Sequence, residues 1–162
     1  TNRRGLEIEL DRYLSLSRRN QQPLAVIMMD LDNFKMYNDK CGHLSGDTVL
    51  RAVAAALRGR ARASDVVARW GGDEFCILIP ATDPDGALAA TRRFVIAVLE
   101  AMADLSRSDV SAVLGASAGL ACYPDDGEEA AELIARADAA LYKVKASGGS
   151  GVLRASPKWP ET

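Results

Sequence analysis

The sequence predicts an α+β domain in which helices pack on a largely antiparallel sheet of about five strands. Three observations predict it. An unbroken apolar run from Leu24 to Met29 stops at Asp30. Two short apolar segments, residues 66–69 and 75–79, flank Gly71-Gly72 closely enough to force an antiparallel hairpin. The stretches between these runs carry apolar residues that step by three and four, the period of a helix. At 162 residues the chain is long enough for one hydrophobic core.

The elements follow in order. Leu6, Leu10, Tyr13 and Leu14 fall at helical spacing, so the chain opens almost at once into an amphipathic helix, which Pro23 ends. The run 24–29 reads as a strand buried on both faces that delivers Asp30 at its end. A short helix around residues 34–39 and a longer one from about Ser45, striped by Val49, Leu50, Val53, Ala54 and Leu57, are separated by the turn Cys41-Gly42-His43. In the hairpin, Gly71-Gly72 is expected to supply positive φ. Leu88, Thr91, Val95, Val98 and Met102 mark a long helix, and a fourth strand is expected over 113–121. Asp125-Asp126-Gly127 makes a turn. Leu133, Ala137, Ala140, Leu141 and Val144 form a last helix ending near Gly148-Gly149, and Val152-Leu153 add a short edge strand. The order β-α-α-β-β-α-β-α is close to the ferredoxin-like plan. Residues 1–155 form the domain, and 156–162, with two prolines, a C-terminal tail.

Composition narrows the function classes. A net charge of −2 and a pI near 5.5 argue against nucleic acid as a partner, which calls for a basic face. No apolar run approaches the roughly 20 residues of a membrane span, so no membrane contact by this domain is expected. Cys41, Cys76 and Cys122 are odd in number and widely spaced, which suggests neither a disulfide framework nor a zinc motif; a reducing, cytoplasmic setting fits. Cys76 and Cys122 adjoin apolar runs and read as small buried hydrophobes.

The acids carry the chemistry. Asp30 ends one strand and Asp73 follows the hairpin glycines, so pairing of the two segments would bring both carboxylates to one sheet edge, an oxygen-rich setting suited to Mg²⁺. Strand alternation puts Asp73 and Glu74 on opposite faces and favours Asp73 as the ligand. Spacing alone leaves open whether Asp30, Asp32, Asp73 and Glu74 are metal-site acids or surface turn acids. It leaves open also whether Asn38, Asp47 and the lone His43 are more than helix-end residues, and whether Arg62 and Asp65 are more than a solvated pair.

The motifs taken together are more specific. Asp30-Leu31-Asp32-Asn33-Phe34-Lys35, Asn38-Asp39, Gly42-His43, Gly46-Asp47, Arg69-Trp70-Gly71-Gly72-Asp73-Glu74-Phe75 and the segment from Ala137 to Lys145 resemble the GGDEF family of diguanylate cyclases, over residues 2–153. The resemblance implies a nucleotide-cyclase palm and an enzyme that condenses two GTP into cyclic di-GMP and two diphosphates. It implies that Asp30, the Leu31 backbone carbonyl and Asp73 hold Mg²⁺ (or Mn²⁺). Asp73, Glu74 and Lys35 would serve catalysis, and Asn38, His43, Asp47, Gly71, Gly72 and Lys145 would contact substrate. Chemistry agrees for Asp47: an ionised carboxylate only accepts hydrogen bonds, so it can meet the guanine N1–H and amino group where adenine presents an acceptor. Each domain of the family binds one GTP, which implies a homodimer for catalysis.

Four further features follow from the resemblance. Arg62-Ala63-Ser64-Asp65 stands where the family carries an Arg-x-x-Asp product-inhibition site, with Arg93 as a second cationic contact for cyclic di-GMP. Gly149-Ser150 stands where the family carries Arg-Asn. Loss of one charge-assisted hydrogen bond is worth about 1.5–3 kcal/mol of GTP binding, which opens the alternative of a weak or inactive module that senses cyclic di-GMP or GTP. Trp70, commonly tyrosine in the family, is expected to be neutral. Asn2-Arg3-Arg4 resembles the end of the family's entry motif, so an upstream regulatory domain is expected, through which the whole protein could be anchored to a membrane.

Overall fold

In the computed structural model, which describes residues 1–105 and 114–157, the chain runs α1 (Arg3–Asn20), β1 (Leu24–Asp32), α2 (Phe34–Cys41), α3 (His43–Arg60), β2 (Val66–Arg69), β3 (Glu74–Pro80), α4 (Pro84–Leu105), β4 (Gly115–Tyr123), α5 (Ala130–Ala146) and β5 (Val152–Arg154). The strands form one sheet in the order β2-β3-β1-β4-β5. Pairs β2–β3, β1–β3 and β1–β4 are antiparallel, which is the ferredoxin-like arrangement, and β5 joins β4 in parallel as an added edge.

The apolar run of β1 has a physical cause in this topology. Side chains alternate across a strand, and both faces of this central one are covered. Ala25, Ile27, Met29 and Leu31 enter a core with Phe34 of α2, Val49, Val53 and Leu57 of α3, and Phe94 and Val98 of α4. Leu24, Val26 and Met28 enter a second core with Leu6, Leu10 and Leu14 of α1 and Leu133, Ala137 and Leu141 of α5. Asn2 caps α1 by accepting the Gly5 N–H at 2.9 Å, and bridges to Arg69 at the outer edge of β2. Among the described residues no helix is long and apolar enough to cross a membrane.

Four expectations are corrected. β1 does not stop at Asp30: the backbone stays paired, Asp30 lying between Glu74 and Ser117 and Asp32 opposite Gly115. The longer α2–α3 helical pair breaks at Gly42, whose φ of +85° lets α3 begin at His43 rather than Ser45. Gly71 and Gly72 do not take positive φ. The loop between β2 and β3 holds four residues, closed by the Trp70 N–H donating to Glu74 O at 2.8 Å, and that length turns the chain without left-handed residues. Gly71 lies under the Glu74 side chain, whose carboxylate oxygen would stand 2.6 Å from a Cβ there and would have to move to admit one. β4 runs on to Tyr123; residue 113, where it was expected to start, lies outside the described residues, as do 158–162 of the tail.

The turn after β4 is fastened by an acid. Asp126 is fully buried, accepts the Cys122 N–H at 2.7 Å and takes two hydrogen bonds from the Arg154 guanidinium, each 3.0 Å, so it ties β5 to the sheet. Burial pushes the thiols of Cys76 and Cys122 up to about 12, in keeping with small core residues.

Candidate active site

Strand parity sends Asp30 and Asp32 to the same side of the sheet, where the C-terminal end of α5 brings Lys145. The Asp30 side chain is 23% exposed, and its Oδ1 is buried without a hydrogen bond. The Lys145 ammonium stands 3.5 Å from that oxygen, close enough to attract it but without hydrogen-bond geometry. Asp73 lies in the loop, not in β3, and its carbonyl accepts the Leu31 N–H at 3.3 Å, which pins the signature loop against β1. Face alternation therefore does not separate Asp73 from Glu74, as the sequence reading assumed. Burial pushes the Asp30 carboxyl up to about 7; the Asp73 charge adds to this, Lys145 opposes it, and a hydrogen bond with Asp73 and the Glu74 charge add a little more.

A half-buried carboxylate with one unsatisfied oxygen, beside a second carboxylate, is an arrangement that a divalent cation relieves. Among the described residues no three His, Cys, Asp or Glu side chains cluster as a metal cage. The oxygens gathered here are those of the Asp30 and Asp73 carboxylates and the Leu31 carbonyl, with no His or Cys among them. This composition fits Mg²⁺, which usually keeps water or phosphate ligands, and does not fit a zinc centre.

Asp32 sits deeper, at 8% exposure. Its Oδ1 accepts from Ser117 Oγ at 2.8 Å and Lys145 Nζ at 2.7 Å, and its Oδ2 from the Ser150 N–H at 2.8 Å and Ser150 Oγ at 3.3 Å. Burial alone would raise this carboxyl, but the hydrogen bonds from Lys145, Ser117 and Ser150 outweigh it and hold it below the usual carboxylate range. Lys145 also donates to the Leu31 carbonyl at 3.2 Å. Sequence reasoning missed this cluster. The one local signal was Ser117, a polar residue inside the apolar, fully buried run of β4.

The other predicted residues fall into four places. Arg69 donates to the carbonyls of Gly71 (3.1 Å) and Gly72 (3.0 and 2.7 Å), bracing the loop, and Arg3 stacks over Trp70 at 4.2 Å. At the α2–α3 corner, a Cβ on Gly46 would overlap Asn38 Oδ1, which is itself buried with no hydrogen bond; His43 and Asp47 are exposed on the first turns of α3. Asp47 lines a cleft of about 610 Å³ with Leu50, Arg51 and Phe75. Lys35 is exposed on the first turn of α2 and makes no ion pair with the carboxylates. Arg62, Asp65 and Arg93 line one cleft of about 330 Å³ between the end of α3 and α4. There Asp65 accepts the Arg62 N–H at 2.8 Å through Oδ2 and leaves Oδ1 buried and unpartnered.

Similarity to known proteins runs over the same residues. The family described as diguanylate cyclase, GGDEF domain, matches residues 1–151. The chain is 40% identical over 150 residues to the bifunctional diguanylate cyclase/cyclic di-GMP phosphodiesterase MucR of Pseudomonas aeruginosa, which covers 93% of this chain and 22% of that protein. It is 41% identical over 146 residues to the diguanylate cyclase TpbB of the same organism, covering 89% of this chain and 33% of that one. The solved GGDEF domain of TpbB superposes with a TM-score of 0.84 at 34% identity, covering 96% of each chain. The GGDEF domain of DgcB from Caulobacter crescentus, solved in complex with c-di-GMP, does so at 0.84 and 28% identity, covering 95% of this chain and 90% of that one. The chain thus spans between a fifth and a third of these two curated relatives. With fold, signature loop and similarity agreeing over nearly its whole length, the chain belongs to the GGDEF-domain family of diguanylate cyclases.

Proposed function

We propose that this chain condenses two GTP molecules into cyclic di-GMP and two diphosphates, at a site completed by two copies facing each other. The observation that carries this reading is the pair Asp30 and Asp73, brought together where the signature loop meets the end of β1, with an unsatisfied Asp30 oxygen and a lysine alongside. Asp30, the Leu31 carbonyl and Asp73 hold a divalent cation, Mg²⁺ or Mn²⁺. When bound, that ion polarises a phosphoryl oxygen and offsets triphosphate charge.

The remaining work of the chain is positioning and electrostatics. Lys35 and Lys145 offset phosphate charge, and Asp73 accepts the proton of the attacking 3′-hydroxyl. Glu74 supports Asp73 from the neighbouring position, and Gly71 and Gly72 let ribose or phosphate approach the backbone. Asn38, whose buried Oδ1 has no hydrogen-bond partner, reads guanine together with Asp47, and His43 lines the same corner. Arg62, Asp65 and Arg93 bind the product and slow the enzyme, a role supported by their sharing one cleft and by the unpartnered Asp65 oxygen.

With GTP and Mg²⁺ at high protein concentration, chromatography should show cyclic di-GMP from the wild type and none from Asp73→Ala. A second reading, a module that binds cyclic di-GMP or GTP without turnover, is favoured by Gly149 in place of the family's arginine. No product from the wild type, with cyclic di-GMP binding retained, would select it.

A further inference from the structure

We propose that Asp32 is a positioning residue for the phosphate side of the active site, acting through Lys145 and the turn Gly148 to Ser150. This inference rests on the diguanylate cyclase reading and assigns Asp32 no contact with substrate or metal. Every bond it makes is to another part of the chain. Its two oxygens collect four donors from β4, α5 and the turn before β5, at 2.7 to 3.3 Å.

The geometry gives this cluster two effects. Lys145 reaches Asp32 at 2.7 Å, the Leu31 carbonyl at 3.2 Å and Asp30 at 3.5 Å, so its ammonium stands among the groups assigned to the cation. Were a cation held by Asp30 and the Leu31 carbonyl, the ammonium would be repelled from both, and Asp32 would be the anion that keeps Lys145 beside the site. Without it, Lys145 returns to solvent or competes with the cation for Asp30. The second effect falls on the turn. Gly148, Gly149 and Ser150 all have positive φ, at +107°, +79° and +54°, and a Cβ on Gly149 would stand 2.9 to 3.1 Å from the Asp32 carboxylate. The Ser150 N–H donates to Asp32 and to Ser117 Oγ at once. Where the family carries a cationic side chain, this chain folds its backbone onto Asp32, and Lys145 is left as the cation that the turn and strand together present.

A double-mutant cycle tests this, with Asp32→Asn, Lys145→Met and both changes in the whole chain. The readouts are KM and kcat for cyclic di-GMP formation, calorimetric Kd for a non-hydrolysable GTP analogue with Mg²⁺, and urea stability. Asp32→Asn should raise Kd and KM about tenfold with a smaller change in kcat, and the double variant should bind no worse than Lys145→Met alone. Effects that multiply, or an Asp32→Asn protein of lowered stability whose Kd and KM match the wild type, overturn the inference. If Asp32→Asn does not fold, Ser117→Ala removes one donor and keeps the charge; it should raise Kd about threefold, and an unchanged Kd overturns the inference. A wild type that binds the analogue yet makes no product defeats the catalytic reading alone, and the analogue Kd values still decide the role of Asp32.

Discussion

Asp30→Asn should make the metal-free domain more stable at pH 8, although it removes a residue assigned to the active site. Asp30 titrates at an ordinary 3.8 when unfolded and at about 7 in the fold. The folded state therefore binds a proton that the unfolded state has lost, so stability falls as pH rises from about 4 to about 7 and is level above. Keeping the charge at pH 8 costs about 4 kcal/mol on that difference, and about 2 kcal/mol once solvent screening of a side chain 23% exposed is counted. Asparagine never carries the charge. Urea unfolding in chelator should place Asp30→Asn about 2 kcal/mol above wild type at pH 8, about 4–8 °C in Tm, with the gap closing toward pH 4. Millimolar Mg²⁺ should stabilise the wild type and leave the variant unmoved. A variant less stable than wild type at pH 8, or a gap that does not change with pH, would refute the electrostatic account of this site.

Three other outcomes follow from the geometry. Arg62→Ala should weaken cyclic di-GMP binding about tenfold or more by calorimetry and sustain turnover at product levels that stall the wild type; unchanged affinity would remove the product from that cleft. Asp126→Ala leaves the buried Cys122 N–H without its acceptor and the Arg154 guanidinium, 26% exposed, with Asp125 at 3.3 Å as its remaining carboxylate, and should cost about 1–3 kcal/mol in urea unfolding, where an unchanged stability would show the tie to be dispensable. Gly149→Arg should not restore the family's arginine function: φ of +79° and contact with Asp32 make it destabilising by about 1–2 kcal/mol, and tighter GTP binding would show that the turn rearranges freely.

What could be read from sequence was what is local. β2 was located to the residue, Val66–Arg69, because the glycines punctuate the hairpin and the apolar residues bound it. The same hairpin shows the limit. Its loop holds four residues, and expecting positive φ at the glycines of a tight hairpin assigned them a handedness they do not need. β1 was cut short at Asp30 because acids argue against a buried strand. The donors that make Asp32 tolerable come from Ser117, Lys145 and Ser150, 85 to 118 residues away, and only the folded chain joins them. The approach of Asp73 to Asp30 was expected from strand pairing, whereas the sharing of one cleft by Arg62, Asp65 and Arg93 was expected from the family resemblance alone, because nothing local in the sequence ties α4 to the end of α3.

The central claim is a metal-dependent condensation that needs two copies. Its most direct test is the specific rate of cyclic di-GMP formation from GTP and Mg²⁺ as a function of protein concentration. The account predicts a rate that is negligible in dilute protein, rises with concentration as copies pair, and vanishes in Asp73→Ala. A specific rate independent of concentration, or no product at any concentration, would contradict it.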